Sequence, residues 1–154
     1  MKDRFTPGLM AGIVGDIALQ IYFLIVKYLG LTDRTYLEYG KVLIMLKQYR
    51  GVLAFIIGMT FEFLIGGLLG VILAYLIKYT SSRFYILKAI SIGIGSWLFF
   101  MAPGTFFDLP LFSHVPPLPA FLMLVGSLLW GVVTAVTLKR LTNDFRSYFI
   151  KQKS

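Results

Sequence analysis

Two acidic residues, Asp16 and Glu62, lie inside long apolar runs of this chain, where water cannot solvate an ionised carboxylate. Acidic side chains in such surroundings turn toward a bundle interior or a watery cavity. Gln20 follows Asp16 by four residues, one helical turn, and so shares its face. If the two runs are antiparallel helices, a rise of ~1.5 Å per residue puts Asp16 about 3 Å to one side of the midplane and Glu62 roughly 3–4 Å to the other. Gln20 is then level with Glu62, and Asp16, Gln20 and Glu62 are expected to form an intramembrane polar cluster. No Lys or Arg falls at that depth in any apolar run, so the chain offers no salt bridge there. The carboxyls are left to be held neutral by desolvation, to share a proton, or to bind a cation. The first two need only static packing; the third, or a cycle between the first two, is transport chemistry.

Other chemistry is thinly represented. His114 and Asp108 share a Pro-rich segment, but two ligands are too few for a zinc site, and a solvated loop histidine is the expectation. There is no cysteine, which excludes disulfides, thiolate chemistry and cysteine-based metal sites. No phosphate-binding glycine loop, dinucleotide fingerprint, His-Glu-x-x-His or Gly-x-Ser-x-Gly elbow occurs. Ser91 and Ser96 sit in an apolar run near Gly93 and Gly95, yet the only histidine is in the distant loop, so neither serine has an evident base. The sequence therefore points to no catalytic residue, no cofactor and no metal, and to a protein that is not an enzyme.

The elements that must position the acidic pair are membrane helices. Apolar residues make up 58% of the 154 and charged residues only 14%, more apolar matter than one soluble core of this size can hide. Mean hydropathy is +0.80. The net charge of +8 comes from basic residues at the ends of apolar runs, a distribution suited to lipid headgroups rather than nucleic acid. Four runs are long enough to cross a hydrocarbon core of ~30 Å: residues 7–29, 52–77, 84–102 and 118–138. The first follows Lys2 and Arg4, but it is too long for a signal-peptide core and carries Asp16, so it is read as a retained helix.

Residues 35–50 show a moderate amphipathic pattern. Arg34, Glu38, Lys41 and Gln48 fall near one face, and Tyr36, Tyr39, Leu43 and Leu46 near another. This predicts a short helix lying in the membrane interface or packed on the bundle. Gly51 punctuates the start of the second run, and residues 80–82 form a polar turn. Residues 103–117 hold Pro103, Pro110, Pro116 and Pro117 and are read as an outer loop that cannot continue a helix. A mixed tail occupies 139–154. With the N-terminus inside, ten of the 15 basic residues are cytoplasmic (Lys2, Arg4, Lys78, Arg83, Lys88, Lys139, Arg140, Arg146, Lys151, Lys153). Five are outer (Lys27, Arg34, Lys41, Lys47, Arg50), which favours cytoplasmic termini in a plasma membrane.

Small residues at four-residue spacing let membrane helices approach closely. Such stripes are Gly8 and Gly12 leading to Asp16 and Gln20; Gly58, Gly66, Gly70 and Ala74 around Glu62; and Ser127, Gly131 and Ala135. The third run has Ser91 and Gly95 on one face and Ala89 and Gly93 on another. Tyr28, Tyr79, Tyr85 and Phe106 suit interface anchoring, whereas Trp97 and Trp130 lie deeper, as packing residues.

The opening Phe5-Thr6-Pro7-Gly8-Leu9-Met10-Ala11-Gly12, the acidic residue in the first span, the Gly-rich second span and Pro103-Gly104-Thr105 in a Pro-rich third loop give most of the chain a resemblance. It resembles small four-helix membrane proteins of Gram-positive bacteria, including spore formers. That resemblance implies the fold, assigns no activity and carries over no functional residue. The whole is read as a single all-α, polytopic membrane domain, a four-helix bundle with one short extra helix. It is expected to act by helix–helix association, as a homo-oligomer or beside another membrane protein, with the bilayer as its constant partner. The alternative is a small oligomeric ion- or proton-coupled transporter built on the intramembrane carboxylates.

Overall fold

The computed structural model describes residues 3–80 and 83–151, of which 143–151 are described as backbone. Lys2, Ser81, Ser82 and Lys153, assigned above to flanks and a turn, lie outside the described residues, as do the side chains of Arg146 and Lys151.

Five helices follow in order: α1 Phe5–Tyr28, α2 Tyr36–Met45, α3 Val52–Tyr79, α4 Tyr85–Phe106 and α5 Pro117–Lys151. Four of them, α1, α3, α4 and the Pro117–Thr142 part of α5, are long and apolar enough to span a membrane. Their outward faces are apolar too, with Leu24, Val52, Leu53, Leu98 and Phe99 exposed. In a soluble protein such a surface would aggregate; in lipid it is the natural exterior. The chain is an all-α, multi-pass membrane protein.

The spanning helices pack in the order α3, α1, α5, α4, with α1 seated between α3 and α5. Contact between α4 and α3, which would close the ring, is slight. The α1–α3 seam is backbone against backbone. A Cβ at Gly12 would lie 2.1 Å from the Gly66 carbonyl oxygen, and one at Gly70 would lie 2.3 Å from the Gly8 carbonyl oxygen. On the other side, a Cβ at Gly93 would lie 2.5 Å from the Ser127 carbonyl oxygen, and one at Gly131 would lie 2.8 Å from that of Ala89. The small-residue stripes therefore close within one chain. The stripe of α3 is divided: Gly66, Gly70 and Ala74 meet α1, while Gly58 meets Leu37 and Lys41 of α2.

Helix α2 packs on the bundle. The Thr35 hydroxyl caps it by accepting from the Glu38 amide at 3.2 Å, and Leu46 ends it in the left-handed region at φ 56°. It is therefore shorter than 35–50. Lys41, grouped above with the polar face, is buried; its stem lies against Gly58 while Nζ reaches Glu38 Oε1 at 2.8 Å. Leu46, grouped with the apolar face, is exposed. The pattern misassigns Lys41 because a long lysine can bury its methylenes and still pair its charge, and Leu46 because the helix ends there.

The expected start of the outer loop is also corrected. Pro103 lies inside α4, which runs to Phe106, so the outer loop starts later than residue 103. Proline removes only its own N–H, one turn from the helix end, and its carbonyl still accepts from the Phe107 amide at 3.0 Å. The loop then folds back through left-handed Asp108 and Leu111 and buries Leu109 and Phe112. Residues 139–151 of the mixed tail continue α5 as helix, because no Gly or Pro follows Gly131 to interrupt it.

Two packed clusters hold the bundle. At the end carrying α2, Phe23, Tyr36, Tyr39, Phe112 and Met123 form an aromatic-rich core, with Phe100 set edge-on to both tyrosines. At the end carrying the termini, Ala11, Leu73, Ala74, Ala89, Ala135 and Leu138 form a tighter aliphatic core. The acidic pair lies between them.

Candidate functional site: a carboxylate cavity between the two cores

Asp16 and Glu62 are both buried. Asp16 projects from α1 onto α3 at a point where α3 has no side chain: a Cβ on Gly66 would fall 2.0 Å from Asp16 Oδ2. Gly66 is thus the residue that gives the Asp16 carboxyl its space. Glu62, one turn earlier on α3, accepts a short hydrogen bond from Gln20 Nε2. The cluster residues Asp16, Gln20 and Glu62 are therefore brought to one seam, as the depth argument required of antiparallel neighbours.

Both carboxyls line a small, partly open cavity of about 40 Å³. Its walls come from all five helices: Asp16 and Leu19 of α1, Tyr36 and Tyr39 of α2, Phe61 and Ile65 of α3, Ser96 and Phe100 of α4, Ser127 and Trp130 of α5. No Lys or Arg lines it. The nearby buried cation, Lys41, is already paired with Glu38.

Several polar groups around the carboxyls are fully used. Ser127 Oγ donates to the Met123 carbonyl at 3.0 Å and so accepts from the Tyr36 hydroxyl at 2.6 Å. Trp130 Nε1 donates to the Gly12 carbonyl at 3.3 Å, and Ser96 Oγ to that of Gly93 at 2.8 Å. Three cavity atoms are different. Asp16 Oδ2, Glu62 Oε1 and the Tyr39 hydroxyl are buried with no hydrogen-bond partner among the described residues. A buried polar group without a partner costs roughly 1–3 kcal/mol, so three around one cavity form an unusual concentration. Burial pushes the Tyr39 hydroxyl up to about 12, which keeps it a neutral donor and acceptor.

Sequence reasoning did not find Tyr36, Tyr39, Ser96 or Ser127 as cavity residues. The hydropathy pattern puts the tyrosines on one face of a helix that lies in the interface or packs on the bundle, and Ser127 on a packing stripe, where it is indeed buried. Their common address depends on where α2 docks, which no spacing in the sequence encodes.

The remaining candidates stay apart. Asp108 and His114 are exposed, and the His114 carbonyl accepts from Arg34 Nη1 at 2.9 Å. No group of three metal-ligating side chains occurs among the described residues. Ser91 is exposed and donates to the Leu87 carbonyl at 2.9 Å. Chemically, the cavity can accept hydrogen bonds; among the described residues it holds no aligned nucleophile and base.

No family model matches the chain, and no curated protein or solved structure is significantly similar to it.

Proposed function

We propose that this chain is a non-enzymatic protein of the bacterial plasma membrane, with both termini in the cytoplasm, that binds a cationic solute at the Asp16–Glu62 cavity as a small carrier. The observation that carries this reading is the set of unpartnered acceptors, Asp16 Oδ2 and Glu62 Oε1, in a cavity without a basic residue. A structural pair of acids would be expected to satisfy one another or their neighbours. The ten-to-five division of basic residues supports the orientation.

The test is flux in proteoliposomes containing a trapped pH dye, with rubidium or methylammonium gradients, for the wild type, Asp16→Asn and Glu62→Gln. Transport in the wild type and its loss in both variants is expected; identical traces from all three proteins end the reading. Tags on the two termini should report the same side of the membrane.

Association with another copy or another membrane protein is the second reading. It is favoured by α4, where only Ala89, Gly93 and Gly104 are buried and where Ser91 and Gly95 face outward. The stripes of α1, α3 and α5 are occupied inside the chain and leave α4 as the available face. Crosslinking in native membranes that recovers lone monomers removes this reading.

A further inference from the structure

Part of the carboxylate cavity's wall faces a second space. Ile65, Leu69, Ser96 and Phe100 also line that space, an apolar groove between α3 and α4 completed by Leu68, Ile72, Gly95 and Phe99. The groove lies along the seam where the ring of helices is barely closed, and Leu68, Ile72 and Phe99 are exposed on its outer side. From Ile65 to Ile72 it is about 10 Å long at ~1.5 Å per residue. The other approaches are filled. Tyr36, Tyr39 and Phe112 close the end carrying α2, and the aliphatic core around Leu73 and Ala135 closes the end carrying the termini.

We propose that cavity and groove form one site for a single-chain amphiphilic amine, its ammonium against Asp16 and Glu62 and its alkyl chain in the α3–α4 groove. This rests on the reading of the cavity as a cation site and names the class of cation. The match is in donors and acceptors. An ammonium offers three N–H donors and no acceptor. The cavity presents three oxygens without a partner among the described residues, on Asp16, Glu62 and Tyr39, and no cation lines it. An anionic head would meet two carboxyls and no base, and a neutral alcohol has a single donor for three acceptors. The chain gains little from leaving lipid for an apolar groove, since both are equally oily. Selectivity therefore resides in the head, and the groove sets where the tail must lie.

The test uses the full chain in phosphatidylcholine nanodiscs and a decylamine carrying a diazirine at the far end of its chain. Photolabelling is expected on Leu68, Ile72 or Phe99, competed by decylamine but not by decanol or decanoate. Glu62→Gln and Asp16→Asn should each reduce the competed label at least tenfold. Gly95→Leu provides a second variant whose fold is safe, because a Cβ there meets nothing within 4 Å. It should abolish the label by filling the groove. A short amine separates the two proposals: ethylammonium should slow carbodiimide modification of Glu62 in the wild type. Protection by ethylammonium without competed groove labelling overturns the amphiphile and leaves the cation site standing. Absence of both overturns both. Labelling that decanoate or decanol competes equally, or that survives Gly95→Leu, overturns the assignment of head or tail respectively.

Discussion

The Asp16 carboxyl lies over the backbone of Gly66, so close that a methyl group on that glycine would sit 2.0 Å from Oδ2. An acid on one helix is thus housed by the absence of a side chain on the next. Gly66→Ala is expected to lower stability by about 1–3 kcal/mol, the usual scale of overpacking, despite the better helix propensity of alanine. Asp16→Ala combined with Gly66→Ala should recover part of that loss, since the two changes act on one contact. Unfolding in mixed micelles by titration with dodecyl sulfate measures both; simple additivity would show that the contact is unimportant.

Glycines of equal hydropathy should differ sharply in their tolerance of substitution. Gly12→Val drives a side chain into the Gly66 carbonyl and is expected to cost about 1–3 kcal/mol or more. Gly95→Leu has open space and should leave the unfolding midpoint unchanged. Equal destabilisation by both would mean that α4 is covered by something this chain does not supply.

Gln20 is the only hydrogen-bond donor to Glu62 among the described residues. Gln20→Leu leaves that carboxyl with none and should cost about 0.6–2 kcal/mol, the range seen for interhelical hydrogen bonds in membranes. Glu62→Gln keeps an acceptor for Gln20 and should cost less. The same dodecyl sulfate titration orders the two, and a costlier Glu62→Gln would contradict the bond.

The tyrosines of α2 should separate in the same way. Tyr36→Phe breaks the 2.6 Å bond to Ser127 and should cost about 1 kcal/mol. Tyr39→Phe deletes a hydroxyl that has no protein partner and should be neutral or stabilising in the empty protein. A large loss on Tyr39→Phe would reveal a partner for that hydroxyl.

Much of this architecture is legible in the sequence because lipid imposes a simple rule. A run of some twenty apolar residues must satisfy its own backbone, so α1, α3, α4 and α5 could be placed to within a few residues at most ends. The level of Gln20 with Glu62 was legible for the same reason, since helical rise converts sequence position into depth. What resisted reading was anything set by docking. Lys41 and Leu46 of α2 stand the opposite way to their hydropathy, and Pro103 sits inside a helix that its residue type argues against. Which glycine meets which helix was equally hidden, because Gly58 and Gly66 look alike until α1 and α2 are both in place.

The seam at Gly8, Gly12, Gly66 and Gly70 also bears on how this protein can move. Where backbone meets backbone there are no rotamers to exchange, and sliding by even one residue would bring Cβ atoms into register with carbonyls. The α1–α3 pair is thus a fixed plate, and a conformational cycle would have to hinge elsewhere, with α4, which packs mainly on α5, as the element to swing.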